Sequence, residues 1–131
     1  MLLAYWGLIF TGTHVPIRHV PGMEHNGDKI LHFVAYAGLA WLLGVWFWAR
    51  GRSGWRTALA VFAVAAVYGG LDELLQIPVG RNADVADWLA DCGGAAAGLV
   101  VLALTQAVWR MARSRPATYA VMPVRATADA D

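Results

Sequence analysis

Asp72 and Glu73 stand side by side at the end of a long apolar run, and Gln76, Pro78, Gly80, Arg81, Asp84 and Asp87 follow within a few turns of chain. With 59% of residues hydrophobic and only 15% charged, so many acids in one place must be there for a reason. Ionisable side chains next to a membrane-length apolar segment normally face a protein interior or a watery cavity, where they have partners. Upstream, Lys29, His32 and Tyr36 are spaced to share one face of a helix. These nine positions (Lys29, His32, Tyr36, Asp72, Glu73, Gln76, Arg81, Asp84 and Asp87) form the candidate binding site.

The residue types allow several chemistries. Asp72, Glu73, Asp84 and Asp87, with His32 and Gln76, are a possible ligand set for a divalent cation. Carboxylates suit magnesium, calcium or manganese, and an imidazole widens the choice to zinc or iron. The spacing matches no metal signature of the H-E-x-x-H kind, so no cofactor is expected and a divalent metal is kept as the alternative. Lys29, Arg81 and the start of the last helix could instead bind a phosphate, since helix N-termini and arginines hold anions well. Asp84 and Asp87 compete for that same terminus, and Asp87 reads first as a helix cap. His32, which titrates near neutral pH, could act as a general base oriented by Asp72 or Glu73. That makes His32, Asp72 and Glu73 the catalytic candidates, against a plain helix-contact role for the histidine. Lys29 and Arg81 can also neutralise two of the acids as a structural ion-pair network, the reading that charge clusters most often deserve. His14, His19 and His25 have irregular loop spacing and suggest no metal site.

The elements that carry these residues follow from uncharged stretches. Residues 30–49, 57–71 and 92–109 contain 20, 15 and 18 residues without a formal charge, and a spanning helix needs roughly 20. The apolar start, residues 1–13, covers about 20 Å as a helix, less than a hydrocarbon core of about 30 Å. It lacks a basic leader and a cleavage site, so it is expected to be a short first helix and not a signal peptide. The expectation is an all-α membrane bundle of four helices, near residues 1–13, 29–49, 55–76 and 85–110. These make one domain over residues 1–111, followed by a disordered cytoplasmic tail over 112–131 that is rich in alanine and proline. Cys92, the single cysteine, can form no internal disulfide.

Orientation follows from the basic residues. Arg50, Arg52, Arg56, Arg110, Arg113, Arg115 and Arg125, seven of the ten, fall where alternating helices put them on one side. The positive-inside rule makes that side cytoplasmic, along with both termini, and Trp46, Trp48, Trp55 and Trp109 are expected at its boundary. The other tryptophans are read as lipid-facing bulk. The candidate site then opens to the extracytoplasmic face. On the last helix Asp84, Asp87, Asp91, Gly94 and Gly98 repeat along one stripe, and Gly94-x-x-x-Gly98 is a small-residue packing motif.

Asp28-Lys29-x-x-His32-Phe33-x-x-Tyr36, followed by Asp72-Glu73-x-x-Gln76-x-Pro78-x-Gly80-Arg81 and Asp87, resembles the VanZ-like membrane proteins. The resemblance runs over about residues 28–105 and departs at Asp91, which stands where the family pattern resembles asparagine. It implies a multi-pass protein of a bacterial-type cytoplasmic membrane, in a family whose namesake is associated with low-level resistance to the glycopeptide teicoplanin, but it implies no reaction. The expected function is binding of an anionic cell-envelope lipid or lipid-linked precursor. The alternative is a small intramembrane metal- or His-assisted hydrolase or transferase on a lipid-linked substrate. Membrane lipid is the expected partner and nucleic acid is not. Transport is the weaker third reading, because four short helices leave little room for a pathway. Enzymatic activity and oligomeric state are left open by the residues themselves.

Overall fold

The computed structural model describes residues 1–14, 27–80 and 83–114, and all regular structure among them is helical. In chain order these are α1 (Leu2–His14), α2 (Gly27–Trp48), α3 (Trp55–Gln76), one 3-10 turn (Ile77–Val79) and α4 (Val85–Arg113). Arg18, His19, Glu24, His25, Arg81 and the tail from residue 115 lie outside the described residues. The helix of α4 continues through Arg113, so Ala112 and Arg113 are helical where the tail was expected to begin.

α2, α3 and α4, with 22, 22 and 29 residues, are long and apolar enough to cross a membrane. α1 has 13 residues and is not. α3 stops where Pro78 withdraws a backbone donor, and Gly80 then takes a left-handed φ of 81° that an L side chain would resist. That turn brings the chain round to the start of α4.

α2 and α4 run parallel and make the most extensive contact in the bundle, with α3 antiparallel between their ends. The α2–α4 register is nearly constant along the pair. Lys29 meets Asp87, His32 meets Asp91, Phe33 lies on Gly94, Ala37 on Gly98, Gly44 on Leu102 and Trp48 on Trp109. The glycine motif is therefore used inside the chain. A Cβ on Gly94 would overlap the Phe33 carbonyl, and one on Gly98 the Ala37 carbonyl. Small residues let two helix backbones approach this closely, which is how helices associate where no hydrophobic effect operates between them.

α1 docks only beside the half of the bundle that carries the polar residues. The Tyr5 hydroxyl donates to the Ala35 carbonyl at 3.0 Å, and Trp6 meets Tyr68 edge-on at 5.1 Å. Ile9 joins the apolar core with Tyr36, Leu39, Ala40, Leu43, Val61, Ala65 and Ala95. Trp41 and Trp88, read from the sequence as lipid-facing bulk, also make polar contacts inside the bundle. Trp88 is half-buried and donates to the Ala66 carbonyl at 2.9 Å, and Trp41 reaches Thr105 at 3.4 Å.

The two ends of the bundle differ sharply. Arg50, Arg56 and Arg113 sit over the rings of Trp46, Trp55 and Trp109, at 3.7, 5.4 and 4.7 Å from the centroids, all at one end. The opposite end holds the buried polar residues. Between them Val34, Val67, Leu71, Val100 and Leu104 are exposed. Such apolar walls would be a liability in water but suit contact with hydrocarbon.

Candidate functional site

Adjacent residues on a helix point about 100° apart, and this separates Asp72 from Glu73. Asp72 turns toward α1, where its Oδ1 accepts a hydrogen bond from Thr13 Oγ1 at 3.1 Å and lies 3.7 Å from His14 Nδ1. Glu73 turns toward α2 and α4. Its Oε2 accepts the Asp84 backbone N–H at 2.8 Å and its Oε1 accepts Gln76 Nε2 at 3.2 Å. The two neighbouring acids thus serve different partners. His14, expected in a loop, is the last residue of α1 and stacks on Phe10 at 4.0 Å.

Nδ1 of His32 lies 2.9 Å from Asp91 Oδ1, a hydrogen bond, and 3.9 Å from Glu73 Oε1. His32 is 3% exposed and Asp91 0%. Asp91 is the residue that orients this histidine, not Asp72 or Glu73 as expected, because parallel packing of α2 on α4 places positions 32 and 91 at the same depth. Gly69 on α3 leaves the space: a Cβ there would stand 2.7 Å from Asp91 Oδ2. That Oδ2 is buried and has no hydrogen-bond partner among the described residues.

Nearer the end of the bundle, Lys29 Nζ is shared between Asp84 Oδ2 at 3.0 Å and Asp87 Oδ1 at 2.9 Å. Asp84, not Asp87, caps α4: its Oδ1 accepts the Ala86 N–H at 2.8 Å. The Ala86 N–H and then the Lys29 ammonium hold the Asp84 carboxyl below its ordinary range. Its contribution to folding is therefore present above the ordinary aspartate range and is lost only as pH falls below it. Asp87 is buried, whereas the side chains of Lys29 and Asp84 are 36% and 48% exposed.

The structure thus gathers Lys29, His32, Asp72, Glu73, Gln76, Asp84 and Asp87 at one end of the bundle. Tyr36 sits deeper, fully buried and stacked on Tyr68 at 5.9 Å, with both hydroxyls unpartnered among the described residues. Arg81 lies outside them. Reading the sequence left three participants out of the site: Asp91, Thr13 and His14. Asp91 was detectable, one helical turn beyond Asp87 on the same stripe. Thr13 and His14 gave no signal, because nothing in the chain says where a 13-residue helix docks.

Acids outnumber bases here. Asp72, Glu73, Asp84, Asp87 and Asp91 face Lys29, His32 and His14 among the described residues. Among the described residues two groups have donor atoms within 4.8 Å of one another, Asp28 with His32 and Asp87, and His32 with Glu73 and Asp91, and of these the second is buried throughout.

A family model for VanZ/LLP1 matches residues 3–106. The chain belongs to the VanZ/LLP1 family. No curated protein and no solved structure gave a match. The match takes in nearly all of α1, the whole of α2 and α3, and α4 as far as Gln106, so every residue of the polar site described above lies within the VanZ/LLP1 region. With three helices long and apolar enough to span a bilayer, this VanZ/LLP1 chain is a membrane protein.

Proposed function

We propose that this VanZ/LLP1-family protein binds the headgroup of an anionic cell-envelope lipid or lipid-linked precursor at the extracytoplasmic face of a bacterial-type cytoplasmic membrane. The arginine-bearing end, with its stacked tryptophans, supports a cytoplasmic position for that end and an outer position for the polar one. The observation that carries the reading is the position of Asp84. Its carboxylate occupies Lys29 and the Ala86 N–H in the first turn of α4 together, the two kinds of feature that would hold a phosphate. It is also about half exposed. An incoming headgroup would take its place there, while Asp87 stays buried beside Lys29. Exposed Ile30, Leu74, Val85 and Leu89 flank the same end and give acyl or prenyl chains an apolar wall. A part in glycopeptide (teicoplanin) resistance is proposed with it, on the family resemblance.

Competition by Asp84 sets the sign of the test. In native mass spectrometry from nanodiscs containing phosphatidylglycerol, Asp84→Asn keeps a capping side chain but removes the competing charge, and should retain several-fold more anionic lipid. Lys29→Ala should retain at least tenfold less. Equal retention in all three proteins sinks the proposal.

A second reading, an intramembrane hydrolase or transferase on a lipid-linked substrate, is favoured by one observation: the buried His32–Asp91 contact beside Glu73. General-base catalysis typically contributes about 10²–10⁴-fold. If the reading holds, His32→Ala in proteoliposomes should slow release of phosphate from an undecaprenyl diphosphate probe by at least about 100-fold. A folded His32→Ala protein that turns over at the unsubstituted rate removes it.

A further inference from the structure

We propose that His32, Glu73 and Asp91 bind a divalent first-row transition metal ion, of the Zn²⁺ or Mn²⁺ class, in the buried centre between α2, α3 and α4. The inference requires neither headgroup binding nor catalysis.

Geometry comes first. Each residue offers a donor atom, one from each of three helices, and all three atoms lie within 4.8 Å of one another. Ligands bonded to one metal at about 2.1 Å stand roughly 3.0–3.4 Å apart, octahedral edges being the shorter. His32 Nδ1 and Asp91 Oδ1, hydrogen-bonded at 2.9 Å, stand close to the shorter of these separations. Glu73 Oε1, 3.9 Å from His32 Nδ1, must close by about 0.5–0.9 Å.

Glu73 is also held as ligating carboxylates usually are. Gln76 fixes one oxygen and the Asp84 N–H fixes the other. Asp91 supplies a separate observation. Its Oδ2 is buried and unpartnered among the described residues, and a buried polar atom normally has a partner.

Charge leads to the same conclusion. Two buried carboxylates and one imidazole leave a net negative charge whether or not the histidine is protonated. Lys29 is spent on Asp84 and Asp87. A dication with neutral His32 makes the centre neutral, which matters at a depth where uncompensated charge is costly. One imidazole nitrogen with two carboxylate oxygens suits zinc, manganese or ferrous iron better than copper. Three protein ligands leave coordination positions open to water or to a substrate oxygen.

The test uses the tag-free, full-length protein in detergent, stripped with chelator and dialysed against Zn²⁺ or Mn²⁺. Elemental analysis should find about one equivalent per chain, and Mn²⁺ paramagnetic resonance should report an immobilised ion. Asp91→Asn keeps the size of the side chain and an oxygen for His32, so it should fold with unchanged circular dichroism yet bind at least tenfold more weakly. His32→Ala and Glu73→Gln should do the same, and Gln76→Ala should weaken binding by roughly tenfold through Glu73. Absence of the ion from the unsubstituted protein at ~1 mM metal overturns the proposal, as does binding that survives all three ligand changes. Sensitivity to Asp28→Asn with indifference to Asp91→Asn would place the ion in the other donor group and overturn it equally.

Discussion

Replacing Gly94 with leucine should lower stability by about 3 kcal/mol or more, the upper end of what overpacking a close contact costs. For a domain of this size that is a fall of roughly 10 °C in the midpoint of thermal unfolding. The reason is what the new side chain would meet. A Cβ at position 94 collides with the carbonyl, carbon and Cα of Phe33, which are backbone atoms of a neighbouring helix and cannot rotate away. α4 must then move off α2, and the register that brings Lys29 to Asp87 and His32 to Asp91 is lost with it. The matched control is one residue away. Gly93 is exposed, and a Cβ there meets only the Phe33 ring at 3.5 Å, an ordinary contact. Gly93→Ala should be neutral or slightly stabilising, since alanine is the better helix former. Thermal unfolding in one detergent, followed by circular dichroism, compares the two. Similar midpoints for Gly94→Leu and Gly93→Ala would mean that α2 and α4 do not pack through this glycine.

The second large effect is at Asp91. In chelator-treated protein, Asp91→Ala should cost about 3 kcal/mol. That figure lies between the ~1–3 kcal/mol of an orphaned buried hydrogen-bonding group and the ~3–5 kcal/mol of a broken buried ion pair. Asp91→Asn should cost under about 1 kcal/mol, because the amide oxygen still accepts from His32 and the volume is kept. The sequence resemblance places an asparagine at this position in the family pattern, which the same geometry accommodates. Adding His32→Ala to Asp91→Ala should then cost little more than Asp91→Ala alone, because each substitution removes the same contact. A double-mutant cycle in mixed micelles reads this directly. Additive losses would show that the 2.9 Å contact contributes nothing to folding.

Much of the arrangement was legible in advance, for definite reasons. Spacing of three, four and seven residues put Lys29, His32 and Tyr36 on one face, and Asp84, Asp87 and Asp91 on another, because the pitch of a helix is fixed. Gly94 and Gly98 marked a close approach. What went wrong concerned choices between neighbours. Asp72 and Glu73 looked like a pair, but adjacent positions on a helix diverge, and α1 took one of them while α4 took the other. Asp87 looked like the cap, but Asp84 immediately precedes the first helical residue and carries the extended backbone of an N-cap. His14 looked like loop, because the chain after residue 13 has no periodic pattern.

By itself, the sequence determined that this is a helical membrane protein, which helices have spanning length, and that its polar residues collect at one end. Those properties depend on local quantities: apolar length set against bilayer thickness, and helical periodicity. Only the tertiary structure decided that α2 and α4 run parallel in contact, that Asp91 is the partner of His32, and that Asp84 holds both Lys29 and the start of α4. Those facts depend on the axial register between helices, which the close glycine contacts fix and which no single helix encodes. The acids from Asp72 to Asp91 therefore divide three ways: Asp72 faces α1, Asp84 and Asp87 share Lys29 at the end of the bundle, and Glu73 and Asp91 flank the buried His32.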